Sequence, residues 1–387
     1  MSPVAKEMET GDQTSKFAFF EAHPRLAQAL PRVRLGLFPT PVRRLEKLGR
    51  RLGLEHLFLK DDGVSAELYA GNKVRKLEFL LAGPVHQGAA ELLTFGYAGS
   101  NHAAATAVYA RRYGLRSISM LLPQPNAAYV RKNLLVSHAS GAELHLQPDV
   151  PRLVAATSYQ LARHTLERGK RPVIIRAGGS SPLGTVGYVA AAYELAAQID
   201  AGELPEPDVI YVALGSMGTA VGLLLGLRAL GLTSRVVGVR VVDERIANRG
   251  KARRLFEKTA ALLHKADPSF PALSGSDMDL ELREEFFGGE YGRFTQSCRR
   301  AVAAAWEDEG LVADGTYTGK TLAAVFADAK AAGICRSRVL FWNTYNSRDL
   351  SAITRDVDYR ELPKPFHWYF EQPVQQLGAG DGDAASS

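Results

Sequence analysis

Cysteine is nearly missing from this 387-residue chain: Cys298 and Cys335 are the two that occur, far apart. Two distant thiols support neither a disulfide framework nor a cysteine-based zinc site, so a reducing, cytoplasmic setting and no metal are expected. Long basic blocks interleaved with aromatics are also missing. The 47 Lys and Arg against 41 Asp and Glu leave a net charge of +6 spread over the whole length. That mild excess helps collect anionic small molecules and predicts no nucleic-acid partner. One uncharged stretch, Val209–Leu227, is long enough to pass a crude membrane filter. It is broken by "GSMGT" and follows "PEPD", so it reads as buried strand, loop and buried helix, and no membrane partner is expected. Met1–Lys16 is polar and lacks the apolar core of a secretory leader. Residues 1–16 and 376–387 are predicted to be disordered tails.

What the chain does have is length, enough for a large core in two domains. Short apolar runs alternate with helical patterns. Strands are predicted at 56–60, 91–96, 117–122, 142–147, 172–178, 208–214, 235–242 and 338–343. Strands alternating with helices give an α/β fold of mostly parallel sheets covered on both faces. Pro205–Asp208 is a short linker candidate, and "GKARR" (250–254) reads as a solvated helix face.

Three strand-to-helix turns carry suggestive residues, at the place where parallel α/β folds gather ligands. In "ALGSMGTAVGLLLGL" (213–227), Gly215 and Gly218 admit close backbone approach, Ser216 and Thr219 add hydroxyls, and Met217 lies between them. The turn suits a phosphate cradle, and equally tight strand–helix packing. It lacks the terminal Lys-Ser/Thr of a nucleotide P-loop. In "FGYAGSNHAAATA" (95–107), Ser100 or Asn101 caps the following helix, or the same turn binds a carboxylate. His102 alone suits a structural role better than a catalytic one. The third, "RAGGSSPLGTVGY" (176–188), reads as a hinge or domain crossing, with Pro182 opening a helix.

"LYAGNKVRKLEF" (68–79) changes the weighting. Asn72 is a good helix cap, and Val74, Leu77, Leu80 and Leu81 recur at helical spacing. Lys73, Arg75 and Lys76 then crowd the amino end, where the helix already carries roughly half a positive charge. A solvated cluster is one explanation. The other is an anion, or a lysine held neutral, as a Schiff-base lysine requires. Such a lysine combined with a phosphate cup is how pyridoxal phosphate is bound.

Taken together, "LFPTPVRRLEKL" (37–48), "GNKVRKLEFLLA" (71–82), "SNH" (100–102), "GGSSPLGTVGY" (178–188), "GSMGTAVGL" (215–223), "GGEYG" (288–292) and "DGTYTGKT" (314–321) resemble the D-cysteine desulfhydrase and 1-aminocyclopropane-1-carboxylate deaminase family. These are pyridoxal phosphate enzymes of the tryptophan synthase β-like fold, fold type II. The likeness runs from about 37 to 350 with the motifs in the family's order. It implies a large cofactor-binding domain (17–84 and 187–375), a small domain (85–186) inserted in it, and a homodimer. Lys73 matches the covalent lysine, Lys76 a phosphate contact, and 215–219 the phosphate cup. Asn101 falls where the family meets the cofactor's ring hydroxyl, and Ser100, with Asn101 and His102, where it meets substrate. Tyr291 and Tyr317 match two active-site tyrosines.

Within the family, the deaminase branch carries Glu where this chain has Thr318, placed to protonate the pyridine nitrogen. The desulfhydrase branch uses a Thr, matched here by Thr344 of "NTYN" (343–346). His102 also matches that branch. The resemblance therefore implies elimination on a small amino acid, with D-cysteine giving sulfide, pyruvate and ammonia. Ring-opening deamination, β-elimination or β-replacement on another amino acid, and a non-catalytic cofactor- or ligand-binding module are the alternatives. Ala70, Gly99, Ala104, Tyr345 and Asn346 depart from the family pattern around the substrate pocket.

Overall fold

The computed structural model describes residues 17–331 and 333–377. Of the predicted tails 1–16 and 376–387, residues 1–16 and 378–387 lie outside the described residues. Among the described residues, ten strands form two sheets. They are β1 (Val42–Arg44), β2 (His56–Asp61), β3 (Glu91–Tyr97), β4 (Arg116–Leu122), β5 (Glu143–Leu146), β6 (Val173–Ile175), β7 (Val209–Leu214), β8 (Arg235–Arg240), β9 (Glu281–Arg283) and β10 (Arg338–Asn343). The six-stranded sheet has the order β1-β2-β10-β7-β8-β9, parallel except for β1 against β2. The four-stranded sheet, β5-β4-β3-β6, is parallel throughout.

Eight strands fall where the apolar runs place them. The predicted strand at 172–178 stops at Ile175, because the following Gly-rich chain turns into a 3₁₀ segment at Ala177–Gly179. Two three-residue edge strands, β1 and β9, carry charged residues and no apolar run, so hydrophobic patterning does not reveal them.

The helices nearest the site are α1 (Lys73–Leu80), α2 (Asn101–Arg112), α3 (Ala128–Ala139), α4 (Val150–Arg168), α5 (Pro182–Asp200), α6 (Gly218–Ala229) and α7 (Thr318–Lys330). The uncharged run 209–227 is strand β7, a turn and most of α6, buried within the protein. No helix among the described residues is long and apolar enough to cross a membrane. α6 lies directly on α5. A Cβ at Gly222 would come within 2.6 Å of Tyr188 Cβ, and one at Gly226 within 2.5 Å of Ala192 Cβ. That contact brings the amino ends of α5 and α6 together beside α1.

Candidate active site

Lys73 is the first residue of α1, and the residue ahead of it is not the cap its identity suggests. Asn72 has helical φ and ψ and makes no capping bond. Its Nδ2 instead donates to Thr219 Oγ1 at 3.1 Å, and its backbone N–H donates to the Thr344 carbonyl, also 3.1 Å. The lysine turn is thus tied at once to the 215–219 loop and to the end of β10. Two adjoining cavities meet at Lys73. The larger, about 300 Å³, reaches the 215–219 loop, Ser100, His102, Tyr291 and Tyr317. The smaller, about 10 Å³, is bounded by Asn101, Asp314, Thr344 and Tyr345. Burial lowers the Lys73 ammonium to about 8, with Asp314 opposing the change. The helix end and neighbouring cations, expected to set this shift, are not its main source.

Lys76 stands one turn further along and is buried. Its Nζ donates to Gly178 O and to Ser180 Oγ, both 3.2 Å away. Ser180 Oγ accepts the Gly218 N–H at 3.1 Å and donates to Ser216 Oγ at 2.8 Å. A Cβ at Gly218 would sit 2.7 Å from Ser180 Oγ, 3.0 Å from Lys76 Nζ and 3.1 Å from Thr185 Oγ1. Thr185 Oγ1 is buried with no hydrogen-bond partner. Burial, then Lys73, holds the Lys76 ammonium well below the usual lysine range. A buried amine short of counter-charge, an unused hydroxyl and a side-chain-free N–H converge on one point, which is the donor set of an anion cradle. Met217 reinforces this. Its φ of 70° is the one positive value at a non-glycine residue among those described, a strain of about 1–3 kcal/mol that clusters at ligand sites. The 178–180 turn, read from sequence as a hinge, forms one wall of this cradle.

Ser100 does cap α2, accepting the Ala103 N–H at 3.2 Å, and it also lines the larger cavity. Asn101 Oδ1 accepts from Tyr69 OH at 3.0 Å and from Asn133 Nδ2 at 2.8 Å, which leaves its amide nitrogen as the donor on offer. His102 is buried, and neither ring nitrogen has a hydrogen bond of ordinary geometry, although the ring lies beside the Arg176 carbonyl. Burial, then Lys73 and Lys76, holds it well below the usual histidine range, so the imidazole is neutral.

Tyr291 and Tyr317 share a 2.6 Å hydrogen bond between their hydroxyls, and Tyr97 stacks on Tyr291 at 4.0 Å. Burial raises both phenols above the usual range, so each holds its proton. Thr344 faces the smaller cavity. Thr318 lines neither cavity; its hydroxyl donates to Asp314 Oδ1 at 2.7 Å.

Sequence reasoning did not single out Tyr97, Thr185 or Asp314, and it read Ser180 as part of a hinge or domain crossing. Asp314 accepts the Thr316 and Tyr317 N–H groups on Oδ2, each at 3.0 Å, and the Thr318 N–H on Oδ1 at 2.9 Å. It fixes the turn that presents Tyr317. An aspartate four residues before a helix start was the available signal. Two of the departures, Ala70 and Asn346, are linked. The Ala70 N–H donates to Asn346 Oδ1 at 3.0 Å, and Tyr345 OH accepts from Lys132 Nζ at 3.2 Å. Gly99 is constrained by space, since a Cβ there would meet Val130 Cγ2 at 2.7 Å.

The family model described as pyridoxal-phosphate dependent enzyme matches residues 33–344. A Pyrococcus horikoshii protein with a provisional 1-aminocyclopropane-1-carboxylate deaminase name is 31% identical over 335 residues, covering 83% of this chain and 94% of its own. D-cysteine desulfhydrase from Yersinia pestis is 32% identical over 334 residues, covering 84% and 97%. The crystal structure of an ACC deaminase homologue superposes with a TM-score of 0.72 at 30% identity, over 84% of this chain and 94% of that one. The processed form of threonine deaminase isoform 2 from Solanum lycopersicum, 14% identical, shares the fold with a TM-score of 0.56 over 87% of each chain.

Proposed function

This chain belongs to the pyridoxal-phosphate dependent enzyme family, and from that premise we propose that it eliminates a β-substituent from a small amino acid, in the manner of D-cysteine desulfhydrase. It is a pyridoxal phosphate enzyme of the group that holds both the desulfhydrase and the cyclopropane-carboxylate deaminase. The residues present fit that cofactor. Thr185 Oγ1 and the Gly218 N–H, beside the Lys76 amine, suit its phosphate, and Lys73 stands where the two cavities meet. Asn101 offers a donor for the ring hydroxyl and Thr344 a hydroxyl for the ring nitrogen. When bound, pyridoxal phosphate supplies the electron-withdrawing ring that lets an amino acid's Cα give up its proton.

In this reading Lys73 Nζ takes the Cα proton, and its lowered proton affinity, at about 8, frees a larger share of that amine than an ordinary lysine offers at the same pH. The Ser100 hydroxyl and the Asn101 and His102 N–H groups hold the substrate carboxylate, the Ser100 N–H being committed to the Tyr97 carbonyl at 2.9 Å. The hydrogen-bonded hydroxyls of Tyr291 and Tyr317 orient the leaving group or pass it a proton. A homodimer, and a division into 17–84 with 187–375 around 85–186, belong to the same proposal.

One observation carries elimination over ring-opening deamination: the position of the deaminase carboxylate is Thr318, and its hydroxyl is committed to Asp314. The test is keto-acid release from D-cysteine with sulfide measured alongside, against the cyclopropane amino acid, using protein whose yellow colour borohydride bleaches. Sulfide and pyruvate from D-cysteine are expected. Keto acid from the cyclopropane substrate alone would transfer the chain to the other branch.

A further inference from the structure

Beyond Lys73 and the cradle, the larger cavity continues along an apolar wall. Phe95, Leu122, Val150 and Leu153, from β3, β4 and α4, line it together with Val242 and Ile246 from the segment after β8. Val150 and Ile246 remain 58% and 40% exposed, at the amino end of α4 and in the segment after β8. Among the described residues that line this cavity, Lys73 is the one Lys or Arg, and none is Asp or Glu. The carboxylate of Asp243 acts on Tyr97, another lining residue. Such a space has no cation for a sulfonate or a second carboxylate, and burying one unpaired is costly. Cysteine itself reaches only two heavy atoms past Cα. With its Cα held at Lys73, it leaves most of this wall facing water.

We infer that the preferred substrate is a cysteine whose sulfur carries an apolar group, an S-alkyl or S-aryl cysteine, an assignment that rests on the elimination reading above. The step balances without an oxidant or reductant. Lys73 Nζ removes the Cα proton, and the Cβ–S bond breaks with its electron pair leaving on sulfur. The thiolate is protonated and departs as a free thiol. The three-carbon enamine that remains takes up water and yields pyruvate and ammonia. The apolar group lies along the wall, and desolvating it there supplies the discrimination.

The holoenzyme is assayed for pyruvate with S-benzylcysteine, cysteine and cysteate, each as both enantiomers. We expect kcat/KM for S-benzylcysteine to exceed that for cysteine by at least about tenfold, within the roughly 10–200-fold that even one methylene contributes in an apolar pocket. Cysteate is expected to be inert. Because Val150 and Ile246 are exposed, the V150S/I246S variant should fold normally, lose most of the S-benzylcysteine advantage, and leave the cysteine rate unchanged. In a binding readout free of turnover, 2-amino-4-phenylbutanoate should raise the Tm more than alanine does. Preference for cysteine or cysteate, or equal slowing of both cysteine substrates in the variant, overturns the inference while the elimination reading stands. Absence of keto acid from every cysteine derivative overturns the elimination reading, and this inference with it.

Discussion

Helix α1 has two faces, and they treat positive charge in opposite ways. On one, Arg75 is fully enclosed and fully paired. Its guanidinium donates to Asp62 at 2.8 Å, to both Glu194 oxygens at 2.8 and 2.9 Å, and to Thr40 Oγ1 at 3.0 Å. Asp62 also accepts from Tyr188 and Trp342, and Lys60 Nζ completes the group at Glu194 with a 2.6 Å bond. Against the cost of burial, Arg75 and Lys60 hold the Glu194 carboxyl down to about 2. On the other face Lys76 is buried and Lys73 half-buried, both short of counter-charge, and both have lowered proton affinity. One helix thus spends a cation on holding its own position and keeps two for a ligand. The paired face fixes where the unpaired one points.

The sharpest way to break this contrast is to remove one residue from each face. Lys73→Ala should cut kcat by about 10⁴-fold, the upper range for a single acid–base group, while leaving the urea midpoint of the apoenzyme unchanged or raised. Activity within tenfold of the parent would remove Lys73 from the chemistry. Arg75→Met should do the reverse. It strands Asp62 and Glu194 in the interior, a loss of about 3–5 kcal/mol, read as a lowered urea midpoint in apoenzyme and holoenzyme alike. A loss below about 1 kcal/mol would mean the cluster is not what anchors α1.

Only one of these faces was legible in the sequence. The Lys73–Lys76 pair stands out because cations at a helix amino end need a reason, and a Gly-rich loop elsewhere supplied one. Arg75 gave no such signal, since its partners lie 13 and 119 residues away and become neighbours only when β2 and α5 pack against α1. Ser180 stood in a turn read as a hinge, and its part in the cradle was hidden in the same way, because it meets Ser216 across 36 residues through the joined ends of α5 and α6. The central strands were readable because strands buried on both faces must be apolar along their length, as β7 is. The edge strands β1 and β9 each bring a single apolar residue, Val42 and Leu282, to the core, too little to form a readable run, and Asn72 turned its side chain from capping to Thr219. Local chemistry was visible, and long-range polar pairing was not.

Lys76→Met tests the unpaired face from the cofactor side. An ammonium directed at a phosphate contributes about 1.5–3 kcal/mol, so the pyridoxal phosphate Kd should rise by roughly 10–150-fold, while the apoenzyme is no less stable. A destabilised apoenzyme with unchanged Kd would make Lys76 a structural residue like Arg75. The pH dependence of apoenzyme stability sharpens the same point. Lys73 sits at about 8 in the folded protein, against roughly 10.4 when unfolded. Between those values the unfolded chain binds more protons, so stability rises with pH, by at most about 1.4 kcal/mol per unit. Below about pH 8 both states are protonated and this contribution is flat. Urea titrations from pH 7 to 10.5 should show a rise that is smaller in Lys73→Met, and equal slopes would refute it.

The smallest change expected is at Ser180, which belongs to the cradle without carrying charge. Its hydroxyl accepts from Lys76 and from the Gly218 N–H and donates to Ser216. Replacing it with alanine removes one neutral hydrogen-bonding group, about 1 kcal/mol, or roughly a fivefold rise in the pyridoxal phosphate Kd. The apoenzyme should lose a similar amount, because Ser180→Ala also strips partners from Lys76 and Gly218 in the empty cradle. Ser180 therefore stands between the two faces of α1: it satisfies the fold when the cradle is empty and shares its donors when phosphate is bound. If Ser180→Ala weakens cofactor binding without touching apoenzyme stability, the hydroxyl belongs wholly to the ligand. If it touches stability alone, the cradle is held by Lys76, Thr185 and the Gly218 N–H.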